Sequence, residues 1–553
     1  MKLALILYGI SLCLIVAFWQ FLRKPDDFIN DCSDSRLAYT QVPESPWFVW
    51  TQSYPEICRT PQNATVRKQH GYFLHITDMH VDEDYIEGGT VKTACHDLPK
   101  TSINKKKRKS KPVIPDVLAG KYGTPGERCD APVRLAKETL DWISQEWLDK
   151  LDFVLWTGDN SKHDWDKNNK RKRRHVYELN QHVTDMVMDT FWPASIPVIP
   201  SFGNNDVFPH NQIGGPDTDA DLLSFYEQMW RPWIPKDQRS TFRQGGYYTI
   251  RVAPRLNVLT LNTMYFYVRN KAVSNCVHPT SPAYLQLVWF EAQLAHARST
   301  GERIYVIGHV PPSPRDYKGT CLTEYMRIAA NYTDVVMGHF FAHLNMDHFL
   351  MFDGRQDSLT KRNQKLFDIT DYDDDEEVHA TRDIDAYSDW LRDMYQDIDP
   401  LDDKRAPPNT QPPLVVVQVS PSVLPVYNPA IRIYKYEINP DDILDDDDDD
   451  DEDDDDEDDD DDEDELKPHG TLLNYAQYFA NLTKWNGMPS DAALEYELEY
   501  TTDTAYGMED LTVESYFQLA KSMVEHTKEG NALWTMYRDH MLVKTQNFTQ
   551  THF

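Results

Sequence analysis

Asp78 and His80 stand two residues apart in Thr77-Asp78-Met79-His80, just after a short apolar and aromatic run at residues 72–76. In extended chain, residues i and i+2 share a face, so a carboxylate and an imidazole leave the strand end side by side. Such a pair suits a hard or borderline divalent metal. Alone the spacing is common, and a solvated turn is its ordinary reading. It gains weight from company. Gly158-Asp159-Asn160, Gly203-Asn204-Asn205-Asp206, Gly308-His309 and Gly338-His339-Phe-Phe-Ala-His343-Leu-Asn345 follow apolar runs in the same way.

The elements that must position these residues are legible as an alternation. Apolar and β-branched runs predict strands at 72–76, 151–156, 196–199, 247–252, 256–262, 304–307, 334–337, 415–419 and 431–436. Helical periodicity predicts helices over 131–150, up to about residue 190, over 285–298, and in the tail over 516–528 and 532–541. Alternating strands and helices indicate an α/β domain, whose sites sit beyond the carboxyl ends of its strands.

At 553 residues, 40% hydrophobic and with 14 Trp and 30 Tyr, the chain can bury a sizeable core. Its net charge of −34 is concentrated in residues 445–465, where 21 consecutive acids stand. That run repels itself and predicts an extended, unpacked loop over 441–466. The remainder is mildly acidic, so no nucleic-acid partner is expected, and any attraction for a polyanion must be local. Two local clusters offer it: Lys105, Lys106, Lys107 and Arg108, and Lys170, Arg171, Lys172, Arg173 and Arg174.

Residues 3–22 carry no charge, and a helix of that length spans about 30 Å, the thickness of a hydrocarbon core. The run ends without a small-x-small cleavage site, which favours an uncleaved signal anchor over a signal peptide. Four sequons follow it, at Asn63, Asn331, Asn481 and Asn547. Cys32, Cys58, Cys95, Cys129, Cys276 and Cys321 lack zinc-site spacing, and their even number suits an oxidising compartment, with pairing of sequence neighbours the expectation among 15 possible connectivities. The expected order is an anchor (1–24), a lumenal stalk (25–70), a catalytic domain (71–440) with a polar insertion at 355–410, the acidic loop, and a helical region (467–553) packing on the core.

Five strand-end motifs in one order resemble the calcineurin-like metallophosphoesterases. Leu155-Trp-Thr-Gly-Asp-Asn-Ser-Lys-His-Asp164, Pro421-Ser-Val-Leu-Pro425 and Asn428-Pro-Ala-Ile-Arg-Ile-Tyr434 point to the acid sphingomyelinase-like branch. Gly203-Asn-Asn-Asp-Val-Phe-Pro-His-Asn211, the single anchor and the long charged insertions are similar to fungal vacuolar endopolyphosphatases. The resemblance implies a four-layer α-β-β-α sandwich with two mixed sheets, preceded by one transmembrane helix. It implies a type II vacuolar membrane protein that cleaves inorganic polyphosphate internally by dinuclear metal-activated hydroxide, with exopolyphosphatase action open beside it. The metals would be Mn, Mg, Co or Zn.

By the same resemblance Asp78, His80, Asp159, Asn204 and His309 match metal ligands, with Asp159 bridging. The family's last motif, Gly-His-x-His, fits in two registers: His343 with Asn345, which is preferred, or His339. Asn205 stands where most of the superfamily has a catalytic His, and an amide cannot act as an acid. His163 is then the candidate to assist the leaving group. A polyphosphate leaving group is already a stable anion, so a weak acid suffices. The alternatives are a phosphodiesterase acting on sphingomyelin or nucleotides, and an inactive polyphosphate-binding membrane protein. If the basic clusters hold the polyanion, reversing the charge of residues 105–108 or 170–174 will raise KM for long chains more than for short ones. Equal effects on both lengths would remove the clusters from substrate binding.

Overall fold

The computed structural model describes residues 70–99, 117–354, 384–398, 414–443 and 466–545. Its strands in chain order are β1 (His70–Ile76), β2 (Val81–Asp82), β3 (Ala131–Pro132), β4 (Phe153–Trp156), β5 (Val198–Pro200), β6 (Tyr248–Ala253) and β7 (Leu256–Thr260). There follow β8 (Arg303–Ile307), β9 (Val336–Phe341), β10 (His348–Asp353), β11 (Leu414–Val419), β12 (Ala430–Glu437), β13 (Leu472–Phe479) and β14 (Glu497–Thr501). They form two six-stranded sheets, ordered β14-β13-β12-β1-β4-β5 and β10-β11-β9-β8-β7-β6, with β2 and β3 as a separate parallel pair.

Both sheets are mixed. The runs β1-β4-β5 and β7-β8-β9-β11 are parallel, and the flanking strands are antiparallel. Phe73 of β1 shows how the sheets meet. Its ring stacks on Phe153 and Tyr434 of the neighbouring strands, each 4.8 Å away. It also meets Tyr305 (5.4 Å) and Phe340 (5.5 Å) of the opposite sheet. Burying such rings between two sheets removes large apolar areas from water and is the main favourable term here.

Helices complete the outer layers. Helix Val133–Glu146 buries Leu135, Leu140 and Ile143, an i, i+5, i+8 stripe, and sets Trp142 against Tyr478 of β13 at 5.3 Å. Helices Pro282–Thr300 and Gly319–Asn331 cover the second sheet, with Phe290 stacked on Tyr325. Phe349 of β10 is enclosed by Tyr395, Tyr516 and Tyr537 from helices Ile384–Gln396, Val513–Val524 and Lys528–Met541. The four-layer α/β arrangement is that expected.

Three expectations change. Strand β9 starts later than residue 334 and runs through Gly338-His339 to Phe341, so His339 is a strand residue and not a turn residue. The region after residue 466 contributes β13 and β14 to the first sheet as well as helices, because Tyr475 and Phe479 extend its aromatic core. Helix Ile384–Gln396, within the polar insertion, packs on β10 through Tyr387, Leu391 and Tyr395. Cys95–Cys129 and Cys276–Cys321 are disulfides, as neighbour pairing predicts. No helix among the described residues is long and apolar enough to cross a membrane. The apolar run 3–22, the stalk, Cys32, Cys58, the acidic run and most of the insertion lie outside the described residues.

The tail joins the core through buried polar groups. Arg432 of β12 donates to Gln477 Oε1 (2.9 Å) and to Asp347, with its guanidinium over the Tyr475 ring. Gln477 Nε2 donates in turn to Asp347 (2.9 Å) and to Glu499 of β14 (2.9 Å). Burial, which outweighs that hydrogen bond, pushes the Glu499 carboxyl up to about 8. Its folded pKa therefore exceeds the unfolded value near 4.5, so the fold loses stability as pH rises from there to about 8. Glu499→Gln is expected to match wild type near pH 4 and to melt at a higher temperature than wild type at about pH 9. Thermal melts of both proteins at the two pH values check this.

Candidate metal centre

Asp78 and His80 lie in the turn that leaves β1, and Gly158-Asp159 in the turn that leaves β4. The turns run side by side: Asp78 N donates to Gly158 O (2.9 Å), His80 N to Asp159 O (3.0 Å) and Val81 N to Asn160 O (2.8 Å). Asp78, His80, Asp159, His343 and Asn345 all have positive φ, at 48°, 39°, 56°, 72° and 57°. Left-handed backbone is uncommon outside glycine and costs energy, and Asp, Asn and His tolerate it best. Asp78 and His80 therefore converge by a left-handed turn and not by the extended i, i+2 geometry the sequence suggests.

The exits of β4 and β5 touch. A Cβ on Gly158, at φ +89°, would lie 2.4 Å from Gly203 N, and one on Gly203 would lie 2.0 Å from Asp159 Oδ1. Only glycine at both positions permits the approach. Leu424 N donates to Asp78 O (2.8 Å) and Val423 N to Thr77 O (3.2 Å), so the Pro421–Pro425 motif braces the β1 turn.

These turns gather a buried cluster. His80 Nε2 lies 3.3 Å from Asp159 Oδ2 and 3.6 Å from Asp78 Oδ1, and His309 Nε2 lies 3.2 Å from Asp159 Oδ2. His309 Nδ1 donates to Thr157 O (2.8 Å), which turns Nε2 toward Asp159 and toward Asn204 Oδ1 at 3.0 Å. Asp78, His80 and Asp159 make one group with its candidate ligand atoms within 4.8 Å, and Asp159, His309 and His343 make another. Asp159 belongs to both.

The donor set fits divalent cations. Asp78 Oδ1 and Asn345 Oδ1 are buried acceptors without a hydrogen-bond partner, a costly state that a bound cation would relieve. Burial alone would lower the His309 pKa, but the charges of Asp159 and Asp78 raise it to about 9. The same carboxylates overcome burial to hold His80 well above the usual imidazole range. Burial opposes ionisation of Asp159 as well, yet His309 and His80 keep its carboxyl well below the usual range. The pocket thus draws positive charge.

Residues 71–344 match the calcineurin-like phosphoesterase family. The chain is similar to the endopolyphosphatase of Schizosaccharomyces pombe, at 30% identity over 82% of each chain. It is similar to that of Saccharomyces cerevisiae, at 29% over 93% of this chain and 92% of the relative. With the endopolyphosphatase of Cryptococcus neoformans it shares 33% identity over 69% of this chain and 60% of the relative. The chain belongs to the endopolyphosphatase family of calcineurin-like phosphoesterases.

In this endopolyphosphatase-family chain the two histidines of the ambiguous motif lie in different surroundings. His343 reaches Asp159 and His309, with its ring 5.1 Å from that of His309. His339 bonds Tyr325 Oη at 2.9 Å inside the sheet, and burial takes its pKa down to about 3. His163 is beside the cluster, stacked between His80 (4.1 Å) and Trp165 (4.0 Å). Its Nδ1 bonds Asp130 Oδ1 at 2.6 Å, while its backbone N donates to Asp130 Oδ2. Asn205 donates to both Asp159 oxygens, from N (2.7 Å) and Nδ2 (3.1 Å), so it holds that carboxylate in place.

The basic residues separate. Arg171 is buried and donates to Lys162 O and Asn205 O, so it braces the Asn205 turn from behind, unlike the solvent-facing role expected of its cluster. Lys170, Lys172, Arg173 and Arg174 are at least partly exposed, with Lys170 paired to Asp164 and Arg174 to Glu178. Lys105, Lys106, Lys107 and Arg108 lie outside the described residues, as do Asn63 and Asn547. Asn331 is exposed at a helix end, and Asn481 caps helix Leu482–Asn486.

Two residues escaped the sequence reading. Asp130, the neighbour of Cys129, orients His163 and carries no local motif. Asp206 carries a signal, as the acid closing Gly-Asn-Asn-Asp. Its carboxylate accepts from Asp159 N (2.8 Å), Asn160 N (2.8 Å) and Gly203 N (2.9 Å), pinning the β4 and β5 turns together. Asp206→Ala strands those donors at about 1–3 kcal/mol each. It is expected to lower stability in urea titration by about 3 kcal/mol or more, and to reduce bound metal measured by elemental analysis.

Proposed function

We infer that the chain cleaves internal phosphoanhydride bonds of long inorganic polyphosphate, using two divalent ions held on either side of Asp159. The observation that carries this is one buried carboxylate shared by two ligand groups. Asp78, His80, Asp159 and Asn345 would hold one ion, and Asp159, Asn204, His309 and His343 the other. When bound, such ions activate water and neutralise the charge that develops on phosphoryl oxygens. Mn or Mg would suit the Asn345 site better than Zn, because an amide oxygen is a hard donor.

The chain's own residues do the rest. Asp130 orients the His163 ring through Nδ1, and Nε2 is the nitrogen that would donate to the phosphate chain. Stacking on His80 and Trp165 holds the ring still. Asn205 offers no proton; it keeps Asp159 turned into the site. A phosphate chain leaves as a stable anion, so protonation of the leaving oxygen matters less than it would for an alcohol. This accounts for an active centre with an amide where a histidine is usual in the superfamily.

The compartment is part of the same proposal: a vacuolar membrane protein anchored by residues 3–22, with its catalytic domain lumenal. Two disulfides support an oxidising surrounding.

The test is to incubate purified protein with long-chain polyphosphate and Mn, Mg, Co or Zn, and to size the products on a gel. Shortened chains are expected. Free phosphate alone would mean exo-cleavage, and no change in size would overturn the reading. Asp159→Asn and His309→Gln should each cost at least about a hundredfold in rate and lose bound metal.

A further inference from the structure

Two segments lie side by side at the His343 edge of the centre. Residues 266–271 and 313–318 are joined by a β-bridge between Tyr267 and Tyr317, by Val268 N to Asp316 O (2.8 Å) and by Lys318 N to Phe266 O (2.9 Å). The Cys276–Cys321 disulfide links the chain just beyond each segment. The Tyr267 ring packs 5.2 Å from that of His343. This strip is a fixed wall of the site.

The wall carries positive charge. Arg269 follows the bridge on one segment and Arg315 precedes it on the other, both half-buried. Each stands two residues from the Tyr267–Tyr317 bridge, toward the same end of it, and the Tyr267 ring of that bridge packs on His343. Arg315 also lies 5.9 Å from the ring of Tyr387 on helix Ile384–Gln396. Lys318 is half-buried on the same wall with its ammonium on Tyr267 O, and burial alone takes its pKa down to about 8. The one carboxyl between the arginines, Asp316, is turned to Ser313 Oγ (2.6 Å), and burial raises its pKa above the usual range.

We propose that Arg269 and Arg315 form a subsite that binds phosphate groups of the polyphosphate chain next to the one being cleaved. This rests on the reading of the centre given above. Cutting inside a chain requires the uncut chain to continue past the reacting phosphate, and each further phosphate brings another negative charge. Guanidinium groups meet phosphate oxygens with paired hydrogen bonds, and partial burial strengthens them. The strip supplies two such groups at a fixed place beside His343. The clusters at residues 105–108 and 170–174 do not include them.

The experiment compares wild type with Arg269→Gln, Arg315→Gln, the double variant and the two Arg→Lys variants. KM and kcat are measured on long-chain polyphosphate and on triphosphate, and binding of long chains is measured on protein stripped of metal by chelation. Each Gln variant is expected to raise KM for long chains about tenfold, and the rise for triphosphate should be smaller. The Lys variants should recover part of the loss, and added salt should shrink the difference. Equal rises for both substrates, or no rise, would overturn the subsite. Thermal melts identify a folding defect, and the Lys variants and the long-to-short ratio still decide the matter if a Gln variant is unstable. A wild-type protein that binds long chains without shortening them would overturn the catalytic reading, while loss of that binding in the Gln variants would uphold the subsite.

Discussion

A carboxylate without solvent, at the meeting point of both sheets, is the constraint around which this molecule is arranged. Asp159 is 2% exposed and has an imidazole on each side, 3.3 and 3.2 Å from Oδ2. Burying an anion is expensive unless charge and hydrogen bonds surround it. The protein provides them from β1 through His80, from β5 through Asn205 and from β8 through His309. Removing any one exposes the imbalance of the others.

That demand explains where strain is placed. Five candidate ligands adopt left-handed backbone, and two glycines let the β4 and β5 exits touch. The structure holds these turns by donors and acceptors of their own: Asp206 on four backbone amides, Leu424 on Asp78, Thr263 on the amides of His309 and Val310. Rigid sheets behind the turns, filled with rings such as Phe73, keep the strained geometry from relaxing.

The chemistry assigned to the chain follows from the same economy of charge. A site built to concentrate positive charge beside buried carboxylates attracts phosphate despite the acidic balance of the whole chain. An amide at Asn205 sacrifices a proton donor and secures the carboxylate, a trade that suits a leaving group that is already an anion. Arg269 and Arg315 extend the cationic surface outward on a wall stiffened by a bridge and a disulfide.

Residue types and spacing alone determined the α/β class and most strands, while the cluster residues came with the family resemblance of the strand-end motifs and the cysteine pairing stayed open among 15 connectivities. They did so because strand composition and strand-end motifs are local. Tertiary structure decided what local pattern cannot carry. The different places of His343 and His339 depend on where β9 ends, since a strand that runs on to Phe341 and not only to residue 337 carries His339 into the sheet against Tyr325. Asp130 meets His163 from 33 residues away, so no motif announces it. The basic run at 170–174 looks uniform in sequence, yet Arg171 turns inward to the Asn205 turn while its neighbours face water. The tail's tyrosines read as helical until the first sheet's edge offers β12 a partner, and then pairing and aromatic burial make strands of them. Composition names the groups available; only the packed chain determines which of them share a cavity, because burial and charge act through space and not along the sequence.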